Sequence, residues 1–149
     1  MKTKIGLVLA ITLVFCACKK DTYNTKPSLT FKTVNATSFA NGSSIVFSLE
    51  FTDKQGDLQD SIWVQKITRT KTCTNFSDRT KIPSFNVTPN LKGIFEIGYS
   101  VGTNLNVSYP ILPGCPGKKN DTCYFKFWAR DLAYNMSDTV VSPDIIIFK

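Results

Sequence analysis

The chain has 149 residues, 18 lysines and arginines against 11 aspartates and glutamates, a formal net charge of +7, and no histidine. Without histidine it can form neither a Ser-His-Asp or Cys-His nucleophile pair nor a histidine-ligated zinc site, so any proton transfer would fall to carboxylates, lysine or tyrosine. The length suits one domain with its own core, and no run of basic residues speaks for a nucleic-acid partner.

Met1, Lys2 and Lys4 make a short basic start, and Ile5 to Phe15 is apolar, broken only by Gly6 and Thr12. A spanning helix needs about 20 apolar residues. This run is shorter and stops at Lys19, Lys20 and Asp21, which predicts a secretory signal peptide. "FCAC" at 15–18 resembles the lipobox of bacterial lipoproteins, where a small residue directly precedes the modified cysteine. Ala17 takes that place, so the resemblance implies cleavage after residue 17, acylation of Cys18 and a lipid membrane as partner. A Cys16–Cys18 disulfide would instead close a small strained ring. "CKKDTYN" resembles the mature start of lipoproteins of the Bacteroidota. That implies an outer-membrane lipoprotein of the cell envelope, on the periplasmic face or the cell surface. The predicted organisation is a signal peptide over 1–17, a lipidated tether over 18–27 and a domain over 28–149.

From residue 28 on, turn signals recur between short runs of alternating hydrophobicity, the pattern of an all-β sandwich. Strands are predicted over 28–34, 44–51, 61–70, 83–87, 93–101, 123–131 and 139–148. In "SIVFSLEF", Ile45, Phe47, Leu49 and Phe51 face one way, as a half-buried strand requires. In "CYFKFWARD", Cys123, Phe125, Phe127 and Ala129 share a face. "NG" at 41–42 marks a turn, residues 102–122 read as one long loop, and Pro143 suggests an edge or a bulge. Trp63 and Trp128 are expected in the core or on neighbouring strands rather than as a sugar platform.

"FKFWARDLAYNMSDTVVSP" (125–143) resembles the F–G hairpin of bacterial immunoglobulin-like and fibronectin type III-like domains. "LEFTDKQGDLQDSIWV" (49–64) resembles the B–C region of small Ig-like lipoproteins of the Bacteroidota. The resemblance implies a single immunoglobulin-like antiparallel β-sandwich of about seven strands. It says little of activity.

In such a sandwich the B–C and F–G loops share one end. Asp53, Asp57, Asp60, Asp131 and Asp138 are therefore expected to converge there, with Asn135 beside them. Calcium takes 6–8 oxygen ligands, and this end could supply several, although the spacing is not that of an EF-hand. Alternatively these aspartates cap turns by bonding their own backbone. A carboxylate pair would also serve a hydrolase of envelope or glycan substrates, the rival reading. No other cofactor is implied.

With Cys18 acylated, Cys73, Cys115 and Cys123 remain, an odd number that allows one bridge and one free thiol. Cys73, at the far end of the third strand, would lie near both others, but the short span from Cys115 to Cys123 closes most easily, so that bridge is expected. Lys71, Arg79, Lys81, Lys92, Lys118 and Lys119 are expected at the end opposite the aspartates, offering outward loops to a protein or glycan ligand. "DSI" and "DTV" match a short O-glycosylation acceptor pattern of the Bacteroidota, which would place glycans on Ser61 and Thr139. The reading as a whole is an anchored, non-catalytic binding or structural module.

Overall fold

The structure, a computed structural model, describes residues 24–102 and 108–149, apart from the side chain of Lys118. The expected signal peptide over 1–17, Cys18 and the first part of the expected tether lie outside the described residues. Ten strands follow in chain order: β1 (Ser28–Val34), β2 (Ser38–Phe39), β3 (Ser44–Asp53), β4 (Ser61–Thr68), β5 (Phe76–Lys81), β6 (Leu91–Val101), β7 (Ile111–Leu112), β8 (Asp121–Arg130), β9 (Val140–Val141) and β10 (Ile145–Ile147). One sheet has the order β1-β3-β6-β7, and the other β2-β10-β8-β4-β5, with β9 on β8. The two form an all-β sandwich, consistent with the expected immunoglobulin-like arrangement. Among the described residues no helix is long and apolar enough to cross a membrane.

Period-two alternation makes the core. In β3 the residues Ile45, Phe47, Leu49, Phe51 and Asp53 point inward, and in β8 Asp121, Cys123, Phe125, Phe127 and Ala129 do. Phe47 packs between Phe125 and Phe127, with ring centroids 4.7 and 5.0 Å away. Phe51 stacks on Phe95 at 4.3 Å, over Gly93, where an added Cβ would lie 2.6 Å from the Phe51 ring. Tyr99 closes the other flank. Its ring is buried, its hydroxyl donates to Asp78 at 3.1 Å, and burial pushes its pKa well above the ordinary phenol value. Truncating a ring such as Phe47 to alanine would cost about 3–5 kcal/mol.

Several elements differ from expectation. No strand covers 83–87. The strand that follows β4 is β5, whose FSDRTK sequence is largely exposed and carries little apolar pattern, because it is an edge held by backbone bonds to β4. Residues 83–87 instead lie across the sandwich end, where the Gln59 side chain donates to the Phe85 carbonyl and accepts from the Phe85 N–H. The last predicted strand is two, β9 and β10, parted at Pro143. Ser142 fills the gap, giving its N–H to the Phe125 carbonyl and accepting the Phe125 N–H on Oγ. The sheets are not wholly antiparallel: β2 runs parallel to β10, and β7 parallel to β6. Nor do the cations gather at one end. Lys81 lies opposite Ser61, Lys92 opposite Thr52, and Arg79 opposite Trp63.

The disulfide joins Cys73 to Cys115, which corrects the expected Cys115–Cys123 bridge. Cys123 occupies an inward position of β8 with no exposed surface, so the loop cysteine cannot reach it. Burial first, then the nearby Asp121 carboxylate, pushes the Cys123 thiol up to about 12, which keeps it inert. The bridge spans 42 residues, so chain entropy assigns it about 4 kcal/mol. A non-reducing peptide map should therefore show the Cys73 and Cys115 peptides joined and Cys123 free. Replacing Cys73 and Cys115 together by alanine should lower the unfolding free energy by about that amount in urea titrations.

Candidate metal centre

The inward rows of β3 and β8 do not stop at hydrophobic residues. The next inward position after Phe51 is Asp53, and the next after Ala129 is Asp131. Both are completely buried. The β3–β4 loop brings in Asp57 through a tight turn at Gly56, whose φ of +74° and contact with Thr88 leave no room for a side chain. One carboxylate oxygen from each of Asp53, Asp57 and Asp131 lies within 4.8 Å of the other two.

Asp131 and one oxygen of Asp53 are already spoken for. Asp57 N–H donates to Asp53 Oδ2 at 2.8 Å. Asn135 donates its backbone N–H to Asp131 Oδ1 at 2.7 Å and its side-chain Nδ2 to Oδ2 at 2.8 Å. Main-chain bonds tie the loops together, with Leu132 N–H donating to the Asp57 carbonyl at 3.1 Å. Two oxygens are left over: Asp53 Oδ1 and Asp57 Oδ1 are buried and have no hydrogen-bond partner among the described residues. An orphaned buried acceptor costs about 1–3 kcal/mol, more when charged. Burial is the main reason the Asp53 carboxyl is held above its ordinary value, with the Asp57 and Asp131 charges adding to it.

A hard divalent cation would meet this deficit. Calcium bonds carboxylate oxygens at about 2.3–2.6 Å, so two ligands of one ion are separated by up to about 5 Å, which matches the spacing of the three oxygens. Turn capping also occurs, since Asp131 caps the 131–135 turn and Asp53 caps the turn at Asp57. It uses up Asp131 and one oxygen of Asp53 and leaves the other two oxygens unexplained. The site fits calcium better than it fits capping alone.

The remaining expected ligands lie elsewhere. Asp60 accepts from Arg130 Nε at 2.6 Å and lies 3.7 Å from Arg79, and the Arg130 bond holds its pKa below the ordinary value. Asp138 is exposed and paired with Lys26 at 2.5 Å. Asp60 lies just before β4 begins, outside the strand's alternation, where its carboxylate meets Arg130 and Arg79. Of the two glycan acceptors, Thr139 is exposed, whereas Ser61 is buried and its Oγ accepts from Arg79 Nε at 3.0 Å, which removes it as an acceptor in the folded chain. Asp53 and Asp131 have no exposed surface, so in this conformation no glycosidic bond reaches them.

No family model and no curated protein matches the sequence. Among solved structures, the sporulation control protein Spo0M of Bacillus subtilis is similar at a TM-score of 0.43 and 10% identity, over 83% of this chain and 50% of that one. A likeness of that size carries no argument about function.

The pH dependence has a definite sign. Asp53 binds its proton more tightly in the folded chain than at its ordinary value of 3.8. Between those two values the folded state holds more protons than the unfolded one, so stability falls as pH rises. In chelator, the melting temperature should therefore decline as pH rises from 3.8 through the raised value. Asp53→Asn should flatten that decline and stabilise the cation-free protein by about 1 kcal/mol or more at neutral pH, since the amide removes a buried charge and can donate to its neighbours. Thermal melts across pH on both proteins check this, and identical profiles would count against the strain assigned to Asp53.

Proposed function

We propose that the protein is an exported lipoprotein, anchored through acylated Cys18, whose β-sandwich serves as a non-catalytic binding or structural module of the cell envelope. A calcium ion held by Asp53, Asp57 and Asp131 would order its membrane-proximal end. The observation that carries the calcium part of this reading is the pair of orphaned oxygens in a buried cluster of three carboxylates.

The tether supports the orientation. Lys54 N–H donates to the Asn24 carbonyl at 3.2 Å, Lys26 pairs with Asp138, and Pro27 is fully buried. The chain thus enters the domain at the end that holds the three aspartates. Cys18 precedes Asn24 by six residues, a reach of at most about 20 Å. The ion-binding end would sit close to the lipid headgroups, and the sandwich faces would stand clear of them. Calcium would act here as a structural brace: it would neutralise the buried charge and lock the β3–β4 and β8–β9 loops to each other.

Two measurements test the reading separately. The intact mass of the protein from its native membrane should correspond to a chain that begins at Cys18 and carries acyl groups. A chain that retains residues 1–17, or is cleaved without acylation, would overturn the anchor. Calcium at a hundredfold excess over its dissociation constant should add about 2.7 kcal/mol, a rise in melting temperature on the order of 10 °C for a domain of this size. Asp57→Asn should abolish most of that rise. A melting temperature indifferent to calcium and chelator would reduce the aspartates to turn caps.

A further inference from the structure

The outward face of the β5–β4–β8 sheet is not an ordinary solvated surface. Arg79, Trp63 and Trp128 lie in one row across three strands. The indole rings are parallel within 6° at 6.2 Å. The Arg79 guanidinium sits 4.8 Å and the Arg130 guanidinium 5.3 Å from the Trp63 ring. Arg130 also lies 5.0 Å from the ring of Tyr134, which is 72% exposed. On the same face Tyr124 has Arg69 at 4.8 Å and Lys126 at 6.0 Å. Beside Trp128 runs a shallow groove of about 420 Å³, lined by Gln65, Lys126, Trp128, Met136, Ser137 and Thr139.

We propose that this face binds an acidic glycan: the C–H face of a pyranose ring stacks on Trp128 in the groove, and its carboxylates are met by Lys126 and the neighbouring arginines. The proposal rests on the reading of the domain as an exported binding module and names its ligand class. Charge is the first argument. Arg69, Arg79, Lys81, Lys126 and Arg130 stand on this face against the carboxylates of Asp60 and Asp144, a surplus of positive charge that favours an anionic partner.

The placement of the arginines is the second argument. Arg130 spends Nε on Asp60, and Arg79 spends Nε on Ser61. Each guanidinium is thereby fixed over an aromatic face before any ligand arrives, and a preorganised guanidinium binds carboxylates well.

The mixture of groups is the third. The buried centre of a protein–protein interface is depleted of charge. Here three of the four aromatic rings, Trp63, Tyr124 and Tyr134, each have a cation within about 6 Å. An amide, two hydroxyls and a lysine share the groove with the fourth, Trp128. A partner that alternates C–H faces with hydroxyls and carboxylates suits such a surface better than an apolar protein patch does.

The test uses the full-length protein in detergent and follows tryptophan fluorescence at fixed ionic strength. The probe is an oligomer of α-1,4-linked galacturonic acid. A neutral oligosaccharide of equal length and poly-L-glutamate serve as comparators. Saturable binding of the galacturonate oligomer, at least tenfold tighter than either comparator, is expected. Trp128→Ala should weaken it at least tenfold, and so should Lys126→Glu, a sheet-surface change that leaves the aromatic rings and the core in place. Equal binding of poly-L-glutamate would show mere charge attraction and overturn the proposal. Preference for poly-L-glutamate would point to an acidic protein segment and overturn it too. Absence of galacturonate binding by a protein whose mass shows acylated Cys18 would remove this ligand class while leaving the anchor standing.

Discussion

The packing of the inward row of β3 against the inward row of β8 is the constraint on which the rest of this structure depends. Phe47 between Phe125 and Phe127 fixes the two sheets in register and in distance. A slip of one residue in either strand would turn every one of these rings to solvent. Because the rows are held so firmly, whatever residue stands at the next inward position beyond either end of a row is carried inward with it. At three places that residue is an aspartate: Asp53 after Phe51, Asp131 after Ala129, and Asp121 before Cys123. The sandwich therefore buries carboxylates at both ends, as a consequence of the same alternation that builds its core.

The two ends resolve the resulting charge differently. Asp121 meets Lys66, an inward lysine of β4, at 2.6 Å, and Thr68 donates its hydroxyl to the second oxygen at 2.5 Å. Both charged side chains are almost wholly buried, and removing either partner would leave the other stranded, at about 3–5 kcal/mol. At the opposite end three carboxylates gather, and among the described residues none of them has a lysine or arginine as partner. One end of the fold thus carries its counter-charge within the chain. The other leaves two buried carboxylate oxygens without a partner among the described residues, a deficit that the proposed calcium ion would meet. That contrast within one molecule is a stronger argument for an ion than the acidic composition of the loops.

Much of this was legible in the sequence, and the parts that were not have specific causes. β3, β6 and β8 announce themselves by alternation, and the meeting of Asp53, Asp57 and Asp131 follows once the strands are placed in a sandwich. β5 was hidden because an exposed edge strand has no apolar face to display, while Phe85 in the neighbouring segment is apolar for the sake of closing the sandwich end. Asp60 and Asp138 were grouped with the metal ligands by nearness in sequence, yet each forms an ion pair outside the cluster, Asp60 with Arg130 and Asp138 with Lys26. The disulfide shows what was overlooked. Cys123 shares a face with Phe125 and Phe127, which already placed it in the core. Loop length favoured Cys115–Cys123, but the shortest loop is irrelevant when one thiol points between two sheets.

The outward rows follow from the same register. Fixing Phe125, Phe127 and Ala129 inward obliges Tyr124, Lys126, Trp128 and Arg130 outward, and pairing with β4 sets Trp63 beside Trp128. Nothing in core packing requires two indoles and two guanidiniums on that surface. Threonine or valine would satisfy strand propensity there without exposing aromatic rings. The arginines do not merely decorate the face, since Asp60 and Ser61 hold both of them at its edge, and Ser61 is itself buried in doing so. The end of the sandwich where the chain enters and the broad face of its larger sheet are therefore built from different chemistry: buried carboxylates in the first, aromatic rings and cations in the second. Under the proposed lipoprotein reading, the first would serve as a brace beside the membrane and the second as the surface that meets a ligand.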